Sequence, residues 1–250
     1  MKSQWLIPLG VLLAGTALAR SQGPRTLGAL SPAHAVGYLA PAAAPADGAG
    51  PLATPYEPRP GDIVLYDDFN RFFHFCFKLA QTGAPIHTAM VIARADGTPA
   101  LLDLTGPRVI TAKVCIIDLE TRFKNYPGVI MVRRIREPLA PQQSRDLTQF
   151  AESQSGKSFA IARVLLQATP FCPRTGLRRE FFGKTYLTRN RWFCSEMVVA
   201  ACASAHVLDP NRCCANATYP RDLAFDEALD LSRAYHPPVY WSPAALARAR

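Results

Sequence analysis

The chain has 250 residues and a formal net charge of +9, with 28 basic residues against 19 acidic ones. This length favours one compact domain of about 200 residues beside a composition-biased N-terminal segment. The cations are mainly arginines scattered without interleaved aromatic residues. That distribution excludes an organised nucleic-acid platform and fits contact with an anionic cell-envelope surface.

The first 19 residues have the pattern of a secretory signal peptide. Lys2 supplies the positive start, residues 5–18 the apolar core, and a small-residue site precedes cleavage near Ala19. The apolar run is short for an uncleaved membrane anchor, which is the alternative interpretation. We therefore expect an exported protein, located in the periplasm or outside the cell.

Residues 20–59 are rich in Ala, Pro and Gly and show no periodic apolar face. This composition predicts a flexible, disordered tether between the signal peptide and the folded part. The folded domain is predicted to span residues 60–250.

The start of the predicted domain is rich in β-type runs. They cover residues 63–66, 87–93, 100–104, 114–117 and 129–135, with a further short run at 109–111. Asp96 and Gly97 form a hairpin turn signal, and residues 69–81 place aromatic side chains at helical spacing. The pattern predicts a meander of about five antiparallel strands.

Helical patterns dominate the second half of the domain. They cover residues 141–153, residues 161–168 and an apolar segment that starts near Cys194. The composition of residues 169–191 predicts a surface loop. The predicted fold class is therefore α+β, a small antiparallel sheet with the Cys194 helix packed on it.

Seven cysteines make an odd count for an exported chain: Cys76, Cys115, Cys172, Cys194, Cys202, Cys213 and Cys214. At least one thiol is then free or intermolecular, and three disulfides plus one reactive cysteine would balance the count. Cys172 and the Cys213-Cys214 pair lie in loop-like sequence and are the favoured bridge partners. No second cysteine pair or histidine pair accompanies Cys213-Cys214, so no metal site is predicted.

Cys194 is the cysteine best placed to act as a nucleophile. The start of a helix directs free backbone N–H groups and the positive dipole end at a thiolate, which stabilises its charge. A small residue at a helix start, or one half of a disulfide, is the alternative interpretation of the same position.

His87 is the best-placed base among five histidines, because it stands at the mouth of a predicted strand where an imidazole can face a groove. His74 lies within the aromatic helix, where a packed or surface imidazole is expected. Asp103 interrupts an apolar run on the adjacent strand. Burial of a carboxylate costs several kcal/mol of folding free energy unless it has a partner. His87 is the nearest partner unless Asp103 points outward by simple alternation.

Four short motifs occur in a specific order: Gly-Asp-Ile-Val-Leu at 61–65, the His87 strand, Asp103, and Phe-Cys-Ser-Glu-Met-Val at 193–198. Together they resemble the permuted papain-like amidases of the YiiX and YaeF type, relatives of the NlpC-type cell-wall peptidases. Thr-Ala follows His87 where Val-Gly is more usual, and Asp103 stands where Glu is expected. The resemblance implies a circularly permuted papain-like fold in which the histidine strand precedes the cysteine helix.

The resemblance also implies a reaction, in which the Cys194 thiolate attacks an amide or ester carbonyl and His87 protonates the leaving group. The backbone N–H of Cys194 is a candidate oxyanion donor, and Tyr66 is either a second donor in a substrate-binding role or ordinary strand packing. Glu196 is expected to cap the helix or to pair with Arg191. No cofactor is implied.

Three functions remain open on these residues. The first is an exported cysteine hydrolase that cleaves an amide bond in a peptidoglycan peptide. The second is an acyltransferase or a hydrolase of acyl lipids, because permuted relatives also resemble lecithin-retinol acyltransferases and the aromatic helix could line an acyl pocket. The third is a non-catalytic envelope-binding domain with Cys194 oxidised in a disulfide.

Overall fold

The computed structural model describes residues 35–41, 53–167, 169, 179 and 183–244. The predicted signal peptide and Cys172 lie outside these residues. Within the described ranges, none of the helices has the length and apolar character that crossing a membrane requires.

Ten strands in the described part of the chain form one sheet. In chain order they are β1 Tyr38–Ala40, β2 Thr54–Pro55, β3 Ile63–Asp67, β4 His87–Ala93, β5 Pro99–Thr105, β6 Lys113–Asp118, β7 Val129–Arg133, β8 Ser158–Phe159, β9 Arg191–Trp192 and β10 Val239–Ser242. The order across the sheet is β2-β1-β10-β7-β3-β4-β5-β6-β8-β9. Among the described strands, only the β8–β9 pair is parallel. The predicted antiparallel meander is present as β3 to β6, inside a sheet larger than the predicted five strands.

Six described helices accompany the sheet, which confirms the α+β class. They are α1 Arg71–Leu79, α2 Leu119–Asn125, α3 Pro141–Gln154, α4 Ile161–Gln167, α5 Cys194–Ser204 and α6 Pro220–Phe225. Short 3₁₀ turns occur at Val109–Thr111 and Ala215–Ala217. The first of these replaces the short β-type run predicted at 109–111.

The two faces of the sheet bury separate apolar clusters. Alternate residues of β4 divide between them: Met90 and Ile92 pack with α3 and α5, whereas Ala89 and Val91 pack with α2. This period of two is the expected consequence of strand geometry. Helix α5 has ten consecutive buried residues, and three of them are alanines with little side-chain bulk.

Two stretches of the predicted tether are part of the sheet, so the prediction of a disordered segment over residues 20–59 is wrong for them. β1 pairs with β10 and with β2. Leu39 and Tyr56 are buried against the α2 side of the sheet, and the Tyr56 hydroxyl donates to Asp62 Oδ2 at 3.2 Å. Burial of these two side chains stabilises strands that the Ala- and Pro-rich sequence alone does not favour.

Helix α2 was not anticipated from the sequence. The Asp118 side chain accepts a hydrogen bond from Thr121 N at 2.7 Å and caps the helix start. Leu119 and Phe123 then lie one turn apart and are buried against the sheet. The capping residue and this apolar pair are the sequence signals that identify the helix.

The six described cysteines are all free thiols in the structure. The prediction of three disulfides is therefore wrong for this part of the chain. Cys202 shows the physical reason. It is buried within α5, and its sulfur lies 3.3 Å from the Tyr235 hydroxyl. Burial raises the pKa of the Cys202 thiol to about 12, as expected for an inert packing residue.

Candidate active site

Cys194 is the first residue of α5. Phe193 precedes it in extended backbone conformation and accepts the first helical hydrogen bond, from Met197 N at 3.0 Å. The backbone N–H groups before Met197 therefore have no helical partner and lie at the end of the helix that carries the thiol. Ser195 anchors this end, because its hydroxyl donates to the Thr218 carbonyl at 2.6 Å.

His87 and Asp103 form a short pair on neighbouring strands. His87 opens β4, and its Nε2 lies 2.6 Å from Asp103 Oδ1 on β5. Asp103 is 0% exposed, so the alternative that it points outward does not hold. The Tyr66 ring stacks against His87 with a centroid distance of 5.6 Å. Asp103 and Tyr66 together hold the imidazole in one orientation.

The thiol and the imidazole are close enough to interact electrostatically. Burial by itself lowers the pKa of His87, but the Asp103 carboxylate and the Cys194 side chain, each by charge and by hydrogen bonding, raise this pKa to about 10. Because Asp103 occupies Nε2, Nδ1 is the ring nitrogen left to exchange a proton with the thiol. The geometry favours a protonated His87 at neutral pH.

Arg122 completes a network around Asp103 and was not identified from the sequence. Its Nε lies 3.2 Å from Asp103 Oδ2, and its guanidinium carbon lies 5.2 Å from the centroid of the Tyr66 ring. Burial alone raises the pKa of Asp103, yet the charges of His87 and Arg122 hold it below its usual value. Asp103 therefore stays ionised between two cations.

We expect Arg122→Met to slow acylation of the thiol by about 10- to 100-fold, because Asp103 loses the contact that orients its second oxygen. The rate of the acylation burst with p-nitrophenyl acetate measures this loss. If Arg122 only positions Asp103, the pH at which the acylation rate declines on the alkaline side should not fall, since Asp103 remains beside His87. Arg122→Lys should restore part of the rate.

Lys124→Met is the matched control, because Lys124 lies on the same helix and pairs with Glu120 at the surface. Its rate should equal that of the wild type. Equal rates for Arg122→Met and Lys124→Met would show that Arg122 has no role in the reaction of the thiol.

Glu196 is a structural anchor rather than a base. Its Oε1 lies 2.6 Å from both Arg163 Nη1 and Arg189 Nε. Of the two expectations for Glu196, pairing with Arg191 is wrong, because Arg191 contributes its backbone carbonyl, which accepts from Arg163. Capping is supported, because the backbone N–H of Phe193 at the helix start donates to the Glu196 carboxylate. These contacts attach α4 and the chain before β9 to the first turn of α5.

Tyr66 is fully buried, and its hydroxyl lies beside the Arg122 guanidinium without a well-aligned hydrogen bond to a described residue. Burial raises the pKa of this phenol above its usual value, and the Asp103 charge raises it further. These observations favour the packing interpretation of Tyr66, while its role as an oxyanion donor stays a prediction.

Tyr66→Phe separates these two roles. We expect the acylation rate to stay within about threefold of wild type, with a free energy of unfolding that is unchanged or up to about 1 kcal/mol higher, because a buried hydroxyl without a well-aligned hydrogen bond is removed. Burst kinetics and urea unfolding measure both quantities. Tyr235→Phe is the control, since it removes a hydroxyl that contacts Cys202. A 100-fold slower burst in Tyr66→Phe at unchanged stability would assign the hydroxyl to the oxyanion.

His74 lies in α1, outside this network. Its Nε2 lies 2.7 Å from Asp67 Oδ1, at the end of β3. The contact fixes the helix to the strand that precedes it, in accord with the packed or surface imidazole that the sequence indicates.

No protein-family model matches the chain, and a search among curated proteins finds no match. Among solved structures, the chain is similar to a protein described as metalloprotein yiiX from Escherichia coli O157:H7, DUF1105. The TM-score is 0.41 and the identity 20%, over 61% of this chain and 69% of that chain. In the described part of this chain, no group of three or more His, Cys, Asp and Glu side chains is placed to hold a metal ion. The structural likeness is weak, so the site rests on its own geometry.

Proposed function

We propose that the protein is a thiol hydrolase in which Cys194 is the nucleophile, His87 the acid and base, and Asp103 the residue that orients His87. The observation that carries this proposal is the position of His87, between an ionised carboxylate at 2.6 Å and the thiol at the start of α5. We also propose a permuted papain-like arrangement, because the histidine strand precedes the cysteine helix in the chain.

The reaction follows from the charges of the site. The Cys194 thiolate attacks the carbonyl carbon, and the carbonyl electron pair moves to the oxygen, where free N–H groups of the first turn of α5 stabilise it. The His87 imidazolium donates its proton to the leaving nitrogen as the C–N bond breaks. Water then attacks the thioester and gives a proton to His87, and cleavage of the C–S bond releases the acid and regenerates the thiolate.

For the substrate we propose an amide bond in a cell-wall peptide, cleaved after export of the protein. The acyl-lipid alternative is favoured by one observation, the exposed aromatic face of α1 beside the site. The non-catalytic alternative requires a disulfide at Cys194, and the free thiol in the structure supports the hydrolase instead.

Incubation with peptidoglycan fragments and, separately, with acyl lipids tests the substrate proposal, with products identified by mass spectrometry. We expect cleavage of a peptide amide by the wild type and none by Cys194→Ala. Cleavage of lipids alone would move the substrate to the acyl-lipid class, and cleavage of both by Cys194→Ala would overturn the thiol mechanism.

A further inference from the structure

The candidate site lies at one end of the sheet. β3 and β4 pair Tyr66 with His87 there, while β5, β6 and β8 align Thr105 with Lys113 and Lys113 with Ser158. The segments that leave β3, β5 and β8 at this end are α1, the turn at 106–112 and α4. They therefore lie at the same end of the sheet as the start of β4, where His87 is located.

Exposed apolar side chains concentrate on these three segments. Among the described residues, seven large apolar side chains are more than half exposed, from 51% to 68%: Phe69, Phe72, Phe75, Leu79, Ile110, Leu165 and Leu166. All seven lie on or beside α1, in the turn at 106–112, or on α4. We call this set the apolar rim. Large apolar side chains that are more than half exposed at one end of the sheet mark an interaction surface.

Helix α1 holds its aromatic face away from the protein. Its inner side is attached by the His74 contact with Asp67 and by Phe77, whose ring centroid lies 6.2 Å from that of Tyr219. None of its residues is buried. Phe72, Phe75 and Leu79 follow the i, i+3, i+7 spacing of one helix face. The helix is thus fixed in place with an apolar stripe that faces outward.

Cations accompany the apolar rim. Arg71, Lys78, Arg108 and Lys113 are exposed, whereas Asp68 is the one exposed acid in residues 68–79 and 106–113. Asp68 is also engaged, since its Oδ1 accepts from Asn70 N at 2.9 Å. On α1, the two cations project into the same outward third of the helix as the apolar stripe, at about 100° per residue.

We propose that the apolar rim docks on an anionic lipid surface, with Phe72 and Phe75 inserted at the boundary of headgroups and acyl chains and with Arg71 and Lys78 on lipid phosphates. Aromatic and cationic side chains on one face are the signature of an interfacial helix. A soluble polyanion would engage the cations and leave the phenylalanines in water. A second copy of the chain would oppose like charges. Docking is independent of chemistry at Cys194.

Fluorescence of the Phe75→Trp variant in the full-length protein tests the insertion directly. With vesicles of phosphatidylglycerol and phosphatidylcholine, we expect a blue shift and quenching by bromine-labelled lipid, relative to the wild-type background. Phe225→Trp is the matched control, because Phe225 is exposed outside the apolar rim and should show neither change. This readout reports the position of α1, so vesicle binding by the apolar residues 5–18 does not produce it.

Charge reversal gives the second readout. Arg71→Glu with Lys78→Glu should weaken quenching of Phe75→Trp on anionic vesicles by about tenfold or more, with an unchanged unfolding midpoint. Cys194→Ala should dock like the wild type, so loss of hydrolysis and loss of docking are separable. Absence of quenching at residue 75 overturns the proposal. The proposal is also overturned if self-association, or binding of a soluble polyanion, produces the same fluorescence change without vesicles.

Discussion

Cys194→Ala is expected to abolish the acylation burst with p-nitrophenyl acetate, by about 10³-fold or more relative to wild type. In the proposed mechanism the variant lacks the atom that forms the covalent bond, and removal of a nucleophile from such a unit removes nearly all of its rate advantage. The fold should persist, because alanine fills nearly the same space at the start of α5 and this helix already contains several alanines.

Cys115→Ala is the matched control for this result. Cys115 is also a free thiol, partly buried where Cys194 is buried, and it pairs in the sheet with Asp103 on the neighbouring strand. Burial raises the pKa of Cys115, so it is a poor nucleophile at neutral pH. Its burst should match that of the wild type. A burst that survives in Cys194→Ala and disappears in Cys115→Ala would identify Cys115 as the nucleophile.

Asp103→Asn is expected to lower the acylation rate by about 10²- to 10⁴-fold, because the amide neither stabilises the imidazolium nor enforces the same ring tautomer. The change also leaves Arg122 without its anionic partner. Loss of one member of a buried charge network costs about 3 to 5 kcal/mol of folding free energy. We therefore expect lower activity and lower stability together, measured by burst kinetics and by urea unfolding.

The pH dependence distinguishes this electrostatic role from a general loss of structure. The pKa of His87 is raised to about 10 in the folded protein, above its ordinary value of 6.5. Its contribution to stability is therefore fully present below pH 6.5, declines as the pH rises, and is lost at about pH 10. In Asp103→Asn this decline should flatten, and the alkaline limit of the acylation rate should move to lower pH.

Asp118→Asn is the control for this pair of measurements. Asp118 is an exposed helix cap, and asparagine caps helices about as well as aspartate. Its rate and its pH profile should match those of the wild type. An alkaline limit in Asp103→Asn equal to that of Asp118→Asn would show that Asp103 does not control the proton affinity of His87.

The positions of the proposed nucleophile and base, at a helix start and a strand start, could be predicted from the sequence because each depends on local signals. β4 begins at His87 as the turn before it predicts, and α5 begins at Cys194 as the apolar run predicts. The pairing of Asp103 follows from its place within an apolar run, since a buried carboxylate requires a partner. Each inference used residues within one strand or one helix start.

The features that escaped prediction depend on contacts between distant segments. Arg122 reaches Asp103 only because α2 packs on the same sheet face as His87, and nothing local to Arg122 indicates that contact. β1 and β2 are two or three residues long, too short for a periodic pattern, and β1 exists because β10 supplies an edge about 200 positions later in the chain. Likewise, Glu196 contacts the two arginines brought near it by α4 and the chain before β9.

The most direct test of the account is the rate at which iodoacetamide alkylates Cys194 as a function of pH, in the wild type and in His87→Ala. A thiolate paired with a protonated His87 should react fastest of the described cysteines near neutral pH. In His87→Ala that reaction should slow by about tenfold or more, because the partner charge is lost. Equal rates in the two proteins at every pH would contradict the pairing of Cys194 with His87 on which the proposed function rests.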